Sequence, residues 1–145
     1  MNVPDAWAET RRLGEAETKV EDAAIRLAPV IFQRHVAAVA DLRVTIIGEE
    51  IFAAAVNVRD LTYDVDVRLN IVQNYVAHDL PDEVADKLRA LMRRLGLVYG
   101  AIDLRLTADG RYVFLEINPA GQFLYVEQST GQPITAALAA RLAAG

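Results

Sequence analysis

Gly100-Ala101-Ile102-Asp103-Leu104-Arg105-Leu106 and, after a short break, Tyr112-Val113-Phe114-Leu115-Glu116-Ile117-Asn118 form the stretch on which the fold turns. Side chains alternate across a strand, so both segments read as half-buried strands. Thr107-Ala108-Asp109-Gly110 between them carries the turn chemistry of a hairpin. One face takes Ile102, Leu104 and Leu106 with Val113, Leu115 and Ile117. The other takes Asp103, Glu116 and Asn118, together with Ala101 and Phe114. A two-residue loop at Asp109-Gly110 pairs Asp103 with Glu116. A four-residue loop from Thr107 to Gly110 pairs Asp103 with Phe114 and leaves Glu116 on the diagonal. Both keep the three oxygen-bearing side chains together. A three-residue loop would not, and it would also mix the apolar faces.

Facing carboxylates in a sheet repel. They persist at little cost in open water or around a cation. Two carboxylates and an amide oxygen suit a hard ion such as Mg²⁺, which takes one or two carboxylates and completes its shell with water and phosphate oxygens. The chain has no cysteine and no paired histidines, which argues against zinc. A solvated acidic face is the bland alternative. Against it stands the apolar run Val113-Phe114-Leu115 leading into Glu116, an unfavourable setting for a simple surface acid.

Outward from this hairpin, Asp41 to Ile47 and Ile51 to Val58 read as two strands joined by a turn at Gly48-Glu49-Glu50. Val30 to Val36 and Asp64 to Leu69 read as further strands, and residues 70 to 80 as a loop. Pro81-Asp82-Glu83 opens a helix with Val84, Leu88, Leu91 and Leu95 at helical spacing, stopped by Gly96. Ile134 to Leu142 is a final alanine-rich helix. Val20 to Leu27 reads as a short helix ended by Pro29. The expected organisation is a polar tail over residues 1–20 and one domain over 21–145. Its fold class is α+β, a mostly antiparallel sheet with the helices near 82–95 and 133–143 on one face.

The 145 residues suffice for one domain with a sizeable core. A composition 53% hydrophobic and 24% charged is that of an ordinary globular protein. The net charge of −5 disfavours nucleic acid as a partner. No apolar run is long enough for a membrane span, and the start lacks a secretory pattern, so a cytoplasmic home is expected. The absence of cysteine excludes disulfides and thiolate metal sites. Ser129 is the only serine, and no triad partners stand out for it.

Phe114-Leu115-Glu116-Ile117-Asn118-Pro119, with Gly100-Ala101-Ile102-Asp103 before it, resembles the metal-binding core of ATP-grasp ligases. Gly121-Gln122-Phe123, Glu127 and Thr130-Gly131-Gln132-Pro133-Ile134 narrow the resemblance to enzymes that cyclise ribosomally made peptides, the graspetide synthetases, and to RimK-like ligases. The match runs over about residues 20 to 143. It implies that Asp103, Glu116 and Asn118 hold Mg²⁺ against the phosphates of ATP. It likens Pro29 to Gln33 to a hinge strand whose backbone meets adenine. That suggests Gln33, Arg34, His35 and Val36 as nucleotide contacts, with Phe32 and Leu115 as candidate walls of the pocket. Asp41-Leu42-Arg43 and Asp66-Val67-Arg68 resemble segments that bring Arg43 and Arg68 to the phosphates or to an acyl phosphate; guanidinium groups grip phosphate in bidentate fashion. Arg105 shares the strand face of Asp103 but falls in no motif of the family.

The activity implied is ATP-dependent ligation of a carboxylate to an amine or hydroxyl through an acyl phosphate, with a ribosomal precursor peptide as partner. Family members have an N-terminal domain and a lysine-bearing lid before the hinge strand, whereas 28 residues precede Pro29 here and Lys19 is the sole lysine among them. The resemblance is therefore to a C-terminal half. The expectation is a half that works with another chain or as a homodimer, or a nucleotide-binding module without turnover of its own.

Overall fold

In the computed structural model, which describes Arg12 and residues 32–60 and 74–144, the described residues form five strands and three α-helices. β1 (Ala40–Ile47) and β2 (Glu50–Asn57) pair antiparallel from Ile47 opposite Glu50 to Ala40 opposite Asn57. The turn is two residues long. Gly48 takes a φ of 60° and no other residue of the turn has a positive φ, which is the pattern of a type II′ hairpin turn and suits the twist of the strands. β3 (Val76–Ala77) borders β2. β4 (Tyr99–Leu106) lies on the other side of β1, and β5 (Tyr112–Asn118) borders β4. The strand order is β3-β2-β1-β4-β5 and every pairing is antiparallel. The α+β fold with an antiparallel sheet is thus as expected from the sequence.

α1 (Asp82–Leu95) starts at Pro81, carries Asp82 and Glu83 in its first turn and ends at Gly96. Gly96 adopts a φ of 65°. Its N–H donates to the carbonyl of Arg93, and Leu97 donates to that of Met92, the paired bonds of a Schellman cap. The helix sits one notch round from its expected stripe. Ala85, Leu88 and Met92 are buried, whereas Leu95 is 51% exposed. Two further helices, α2 (Leu124–Thr130) and α3 (Ile134–Ala143), close the chain.

Two apolar clusters separate the faces of the sheet. Leu42, Val44 and Ile46 of β1, Ala53 and Ala55 of β2, and Ile102 and Leu104 of β4 pack against Leu88 and Met92 of α1. Phe52, Ala54 and Val56 of β2 project to the opposite face and pack with Ile47, Val126 of α2, and Ile134 and Ala137 of α3. The sequence reading set α1 and the last helix on the same side. The odd–even alternation of β2 divides them, because both of its faces are apolar and each needs a cover.

Two other expectations differ, and others are not reached. Residues 32–38 form no strand. Within the stretch read as a loop, Val76 and Ala77 add a short edge strand. Val20–Leu27, Val30, Ile31 and the 64–69 strand lie outside the described residues.

The β4–β5 hairpin closes on the loop length that the sequence reading set aside. Gly110 donates to the carbonyl of Thr107 at 3.0 Å, and Thr107 donates to that of Arg111 at 3.0 Å. With Gly110 at a φ of 80°, this is a three-residue connection with a left-handed glycine at its end. Near the turn Leu106 faces Tyr112, Arg105 faces Val113 and Leu104 faces Phe114. Val113 therefore leaves the apolar face for that of Arg105, and Phe114 leaves the carboxylate face for that of Leu104. A β-bulge then intervenes, and beyond it Asp103 faces Glu116, Ile102 faces Ile117 and Ala101 faces Asn118. Leu115 is the additional residue that restores the phase.

Candidate functional site

The bulge decides where the three candidate oxygen donors stand. Asp103 and Glu116 are direct cross-strand partners, and Asn118, two residues on, shares their face. On the other side of β4, Asp103 is also the direct partner of Arg43. Arg43, Asp103 and Glu116 thus form one row across three strands, with Thr45, Ala101 and Asn118 in the next. This answers the electrostatic problem of paired acids: a guanidinium flanks them. Arg43 Nη1 donates to Asp103 Oδ1 at 2.8 Å, and Nη2 donates to the carbonyl of Gln122 at 3.1 Å. Burial is the largest influence and works against the Arg43 charge, but the Asp103 carboxylate, Tyr125 and Tyr75 together outweigh it, and the pKa of the guanidinium is raised. Its Nε is buried without a hydrogen-bond partner.

One row further along the same ladder, Asp41 faces Arg105. Arg105 Nε donates to Asp41 Oδ1 at 2.7 Å and Nη2 to Oδ2 at 3.2 Å, a bidentate pair in which both residues are buried. Arg105 Nη1 also donates to the carbonyl of Val36 at 2.7 Å and lies 3.3 Å from His35 Nε2. Arg105, which belongs to no family motif, is therefore the fastener that brings the 35–36 segment to the site face. With Asp41 taken by Arg105, Arg43 pairs with Asp103.

His35 is exposed, and Val36 is half-buried at the Arg105 tether. Phe32, Gln33 and Arg34 are exposed, Phe32 to 59%. Leu115 is half-buried within the bulge and faces no residue of β4 directly. Arg68 lies outside the described residues. Among the described residues no group of three or more His, Cys, Asp or Glu side chains is gathered as a metal cluster; the candidate set is two carboxylates and an amide.

An aromatic surround completes the site. Tyr75 and Tyr125 stack at a tilt with ring centroids 5.5 Å apart, and Tyr99 meets Phe123 edge-on at 6.2 Å. Burial raises the pKa of the Tyr75 hydroxyl, and the neighbouring Tyr125 and Asp103 raise it further. Burial likewise raises those of Tyr99 and Tyr125, with Arg43 opposing in both. All three stay neutral hydrogen-bonding groups. Tyr99 was legible in the sequence, since it stands two and four residues before Ala101 and Asp103 on one strand face. Tyr75 and Tyr125 come from distant segments with no shared spacing.

After Asn118 the chain folds back on itself. Ala120 N–H donates to Asn118 Oδ1 at 2.9 Å, an Asx turn, and Gly121 N–H donates to the Asn118 carbonyl at 3.2 Å. The Tyr99 hydroxyl donates to the carbonyl of Gly121.

No family model matches the sequence, and comparison with curated proteins gives no significant match. Solved structures do match. Macrocyclase MdnC from Microcystis aeruginosa MRC, bound with precursor peptide MdnA, is 38% identical, with a TM-score of 0.62 over 76% of this chain and 32% of that one. Macrocyclase MdnB from the same organism is 31% identical, with a TM-score of 0.64 over 81% and 42%. ATP-grasp ligase PsnB, complexed with minimal precursor, Mg and ADP, is 26% identical, with a TM-score of 0.69 over 94% and 44%. The chain thus spans between about a third and somewhat under half the length of these proteins. Its structural neighbours are the ATP-grasp ligases of ribosomal peptide maturation, the graspetide type, and its α+β sheet is built as theirs are.

Proposed function

We propose that these residues are the ATP- and Mg²⁺-holding part of a ligase that joins a carboxylate to an amine or hydroxyl in a ribosomally made peptide. The observation that carries this reading is the row Arg43–Asp103–Glu116 with Asn118 beside it on the same face. The donor set fits the ion: two adjacent carboxylates and an amide oxygen match the short list of protein ligands that Mg²⁺ accepts. Bound there, the ion would supply charge neutralisation for the phosphates. Asp103, Glu116 and Asn118 are the proposed ligands, and Arg43 the proposed phosphate or acyl-phosphate contact. Arg68 is proposed for the same role on its sequence motif alone. The 32–36 segment is proposed for the nucleotide base, supported at His35 and Val36 by the Arg105 tether.

In the reaction a substrate carboxylate oxygen attacks the γ-phosphorus of ATP. The bond to the bridging oxygen breaks, and ADP leaves. An amine or hydroxyl then attacks the acyl carbon and loses its proton, and phosphate departs as the amide or ester forms. The chain's part is placement and charge compensation rather than covalent chemistry. A precursor peptide is the proposed partner; MdnC and PsnB are each complexed with one. A narrower reading gives these residues nucleotide and metal binding without turnover. It is favoured by the share of the solved ligases' length that they span.

The test is calorimetric titration of Mg²⁺-ATP into the wild type and Asp103→Asn. The account expects affinity at least about tenfold weaker in the variant, a loss of about 1.4 kcal/mol or more. Equal affinity in the two proteins would remove the metal assignment.

A further inference from the structure

Gly121 raises a question that its backbone does not answer. Its φ is not among the positive values of this chain, so no left-handed conformation demands glycine there. Space does. A Cβ on Gly121 would stand 2.5 Å from the Cβ of Ala101, 3.1 Å from Arg43 Nη2 and 3.3 Å from the Cβ of Asn118. The first distance is far inside van der Waals contact, and the obstacle is a methyl group fixed to the backbone of β4, which cannot swing aside. The other two neighbours belong to the candidate site itself. Ala101 is, moreover, the direct cross-strand partner of Asn118.

We infer that Gly121 and Tyr99 are positioning residues for the Asn118 amide. The bare Cα of Gly121 lets the loop lie flat on Ala101, and the Tyr99 hydroxyl holds it there through the Gly121 carbonyl. The loop in turn supplies the Ala120 N–H that orients Asn118 Oδ1. Arg43 grips the adjoining Gln122 carbonyl, so the loop, the acid row and the amide are one assembly. A side chain at position 121 would lift the loop from β4 and turn the amide away from Glu116. Ala101→Gly would make room for it again. The consequence for ligand affinity rests on the metal reading above; the consequence for the orientation of Asn118 does not.

The experiment compares the wild type, Gly121→Ala, Gly121→Ala with Ala101→Gly, and Tyr99→Phe. The first readout is the side-chain amide NMR signal of Asn118 in metal-free protein. It is expected to move in Gly121→Ala, to return towards its wild-type position in the double variant, and to move in Tyr99→Phe, which adds no atom and carries the test if Gly121→Ala does not fold. The second is Mg²⁺-ATP affinity. It is expected to fall by about tenfold or more in Gly121→Ala, to recover to within about threefold of wild type in the double variant, and to fall less in Tyr99→Phe. An Asn118 signal that stays put in both single variants overturns the inference, as does a double variant no closer to wild type than Gly121→Ala. A wild type that binds no Mg²⁺-ATP sinks the functional reading instead, and the metal-free signals then decide the positioning claim alone.

Discussion

Two ion pairs stand side by side on the β1–β4 ladder and have opposite characters. The Asp41 and Arg105 side chains are 11% and 7% exposed, and the guanidinium spends further donors on the 35–36 segment. One row away, the Arg43 and Asp103 side chains are 11% and 30% exposed, with a single Arg–Asp hydrogen bond of 2.8 Å. The first pair is closed on itself and fixes chain to chain. The second leaves its carboxylate open to solvent beside Glu116, where a ligand can share it. The same two residue types at neighbouring positions thus divide into a fastener and a candidate site, and access of solvent to the acid makes the difference.

The comparison can be broken by mutation. Asp41→Ala strips Arg105 of its buried counter-charge and is expected to cost about 3–5 kcal/mol in urea unfolding. Replacing both members by leucine is expected to recover more than half of that loss, because a buried pair contributes less than its rupture costs. A cost below about 1 kcal/mol for Asp41→Ala would show that this pair is not a fastener.

The aromatic surround of the open pair offers an alkaline test. The folded-state pKa of Tyr75 lies above its ordinary value of 10.0, so the folded state holds the phenolic proton more tightly than the unfolded chain. Its contribution to stability is complete below pH 10.0 and is lost as pH rises from there through the folded pKa. Above pH 10.0 unfolding free energy should drop by about 1.4 kcal/mol per pH unit for this one group. Tyr75→Phe should flatten that slope, and an unchanged slope in the variant would mean that Tyr75 does not titrate this way.

The smallest effect is expected at the open pair. Asp103→Asn keeps an acceptor for Arg43 and should alter stability by about 1 kcal/mol or less while weakening Mg²⁺-ATP binding. A large loss of stability would make this pair a second fastener.

The hairpins, α1 and the face-sharing of Asp103, Glu116 and Asn118 were legible because alternation and turn residues are local signals. The β4–β5 register was reached by a different route. The turn takes three residues, which shifts the phase, and the bulge at Leu115 shifts it back; neither step alone has a sequence mark, since Leu115 reads as one more apolar strand residue. The buried stripe of α1 turned from Leu91 and Leu95 to Ala85 and Met92, because the contact line is set by packing on strands distant in sequence, which a helical wheel does not contain. α2 is seven residues with one buried side chain, Val126, too short for a periodic pattern. The two cross-strand ion pairs needed the β1–β4 pairing, a contact between segments some sixty residues apart that local pattern does not give.

Paramagnetic mapping bears on the whole reading. With Mn²⁺ standing in for Mg²⁺ in the presence of ATP, the amide signals of Asp103, Glu116 and Asn118 are predicted to broaden first, ahead of those of Asp41 and Arg105 in the neighbouring row. Broadening that begins at another acidic cluster, such as Asp82 and Glu83 at the start of α1, and spares β4 and β5 would contradict it.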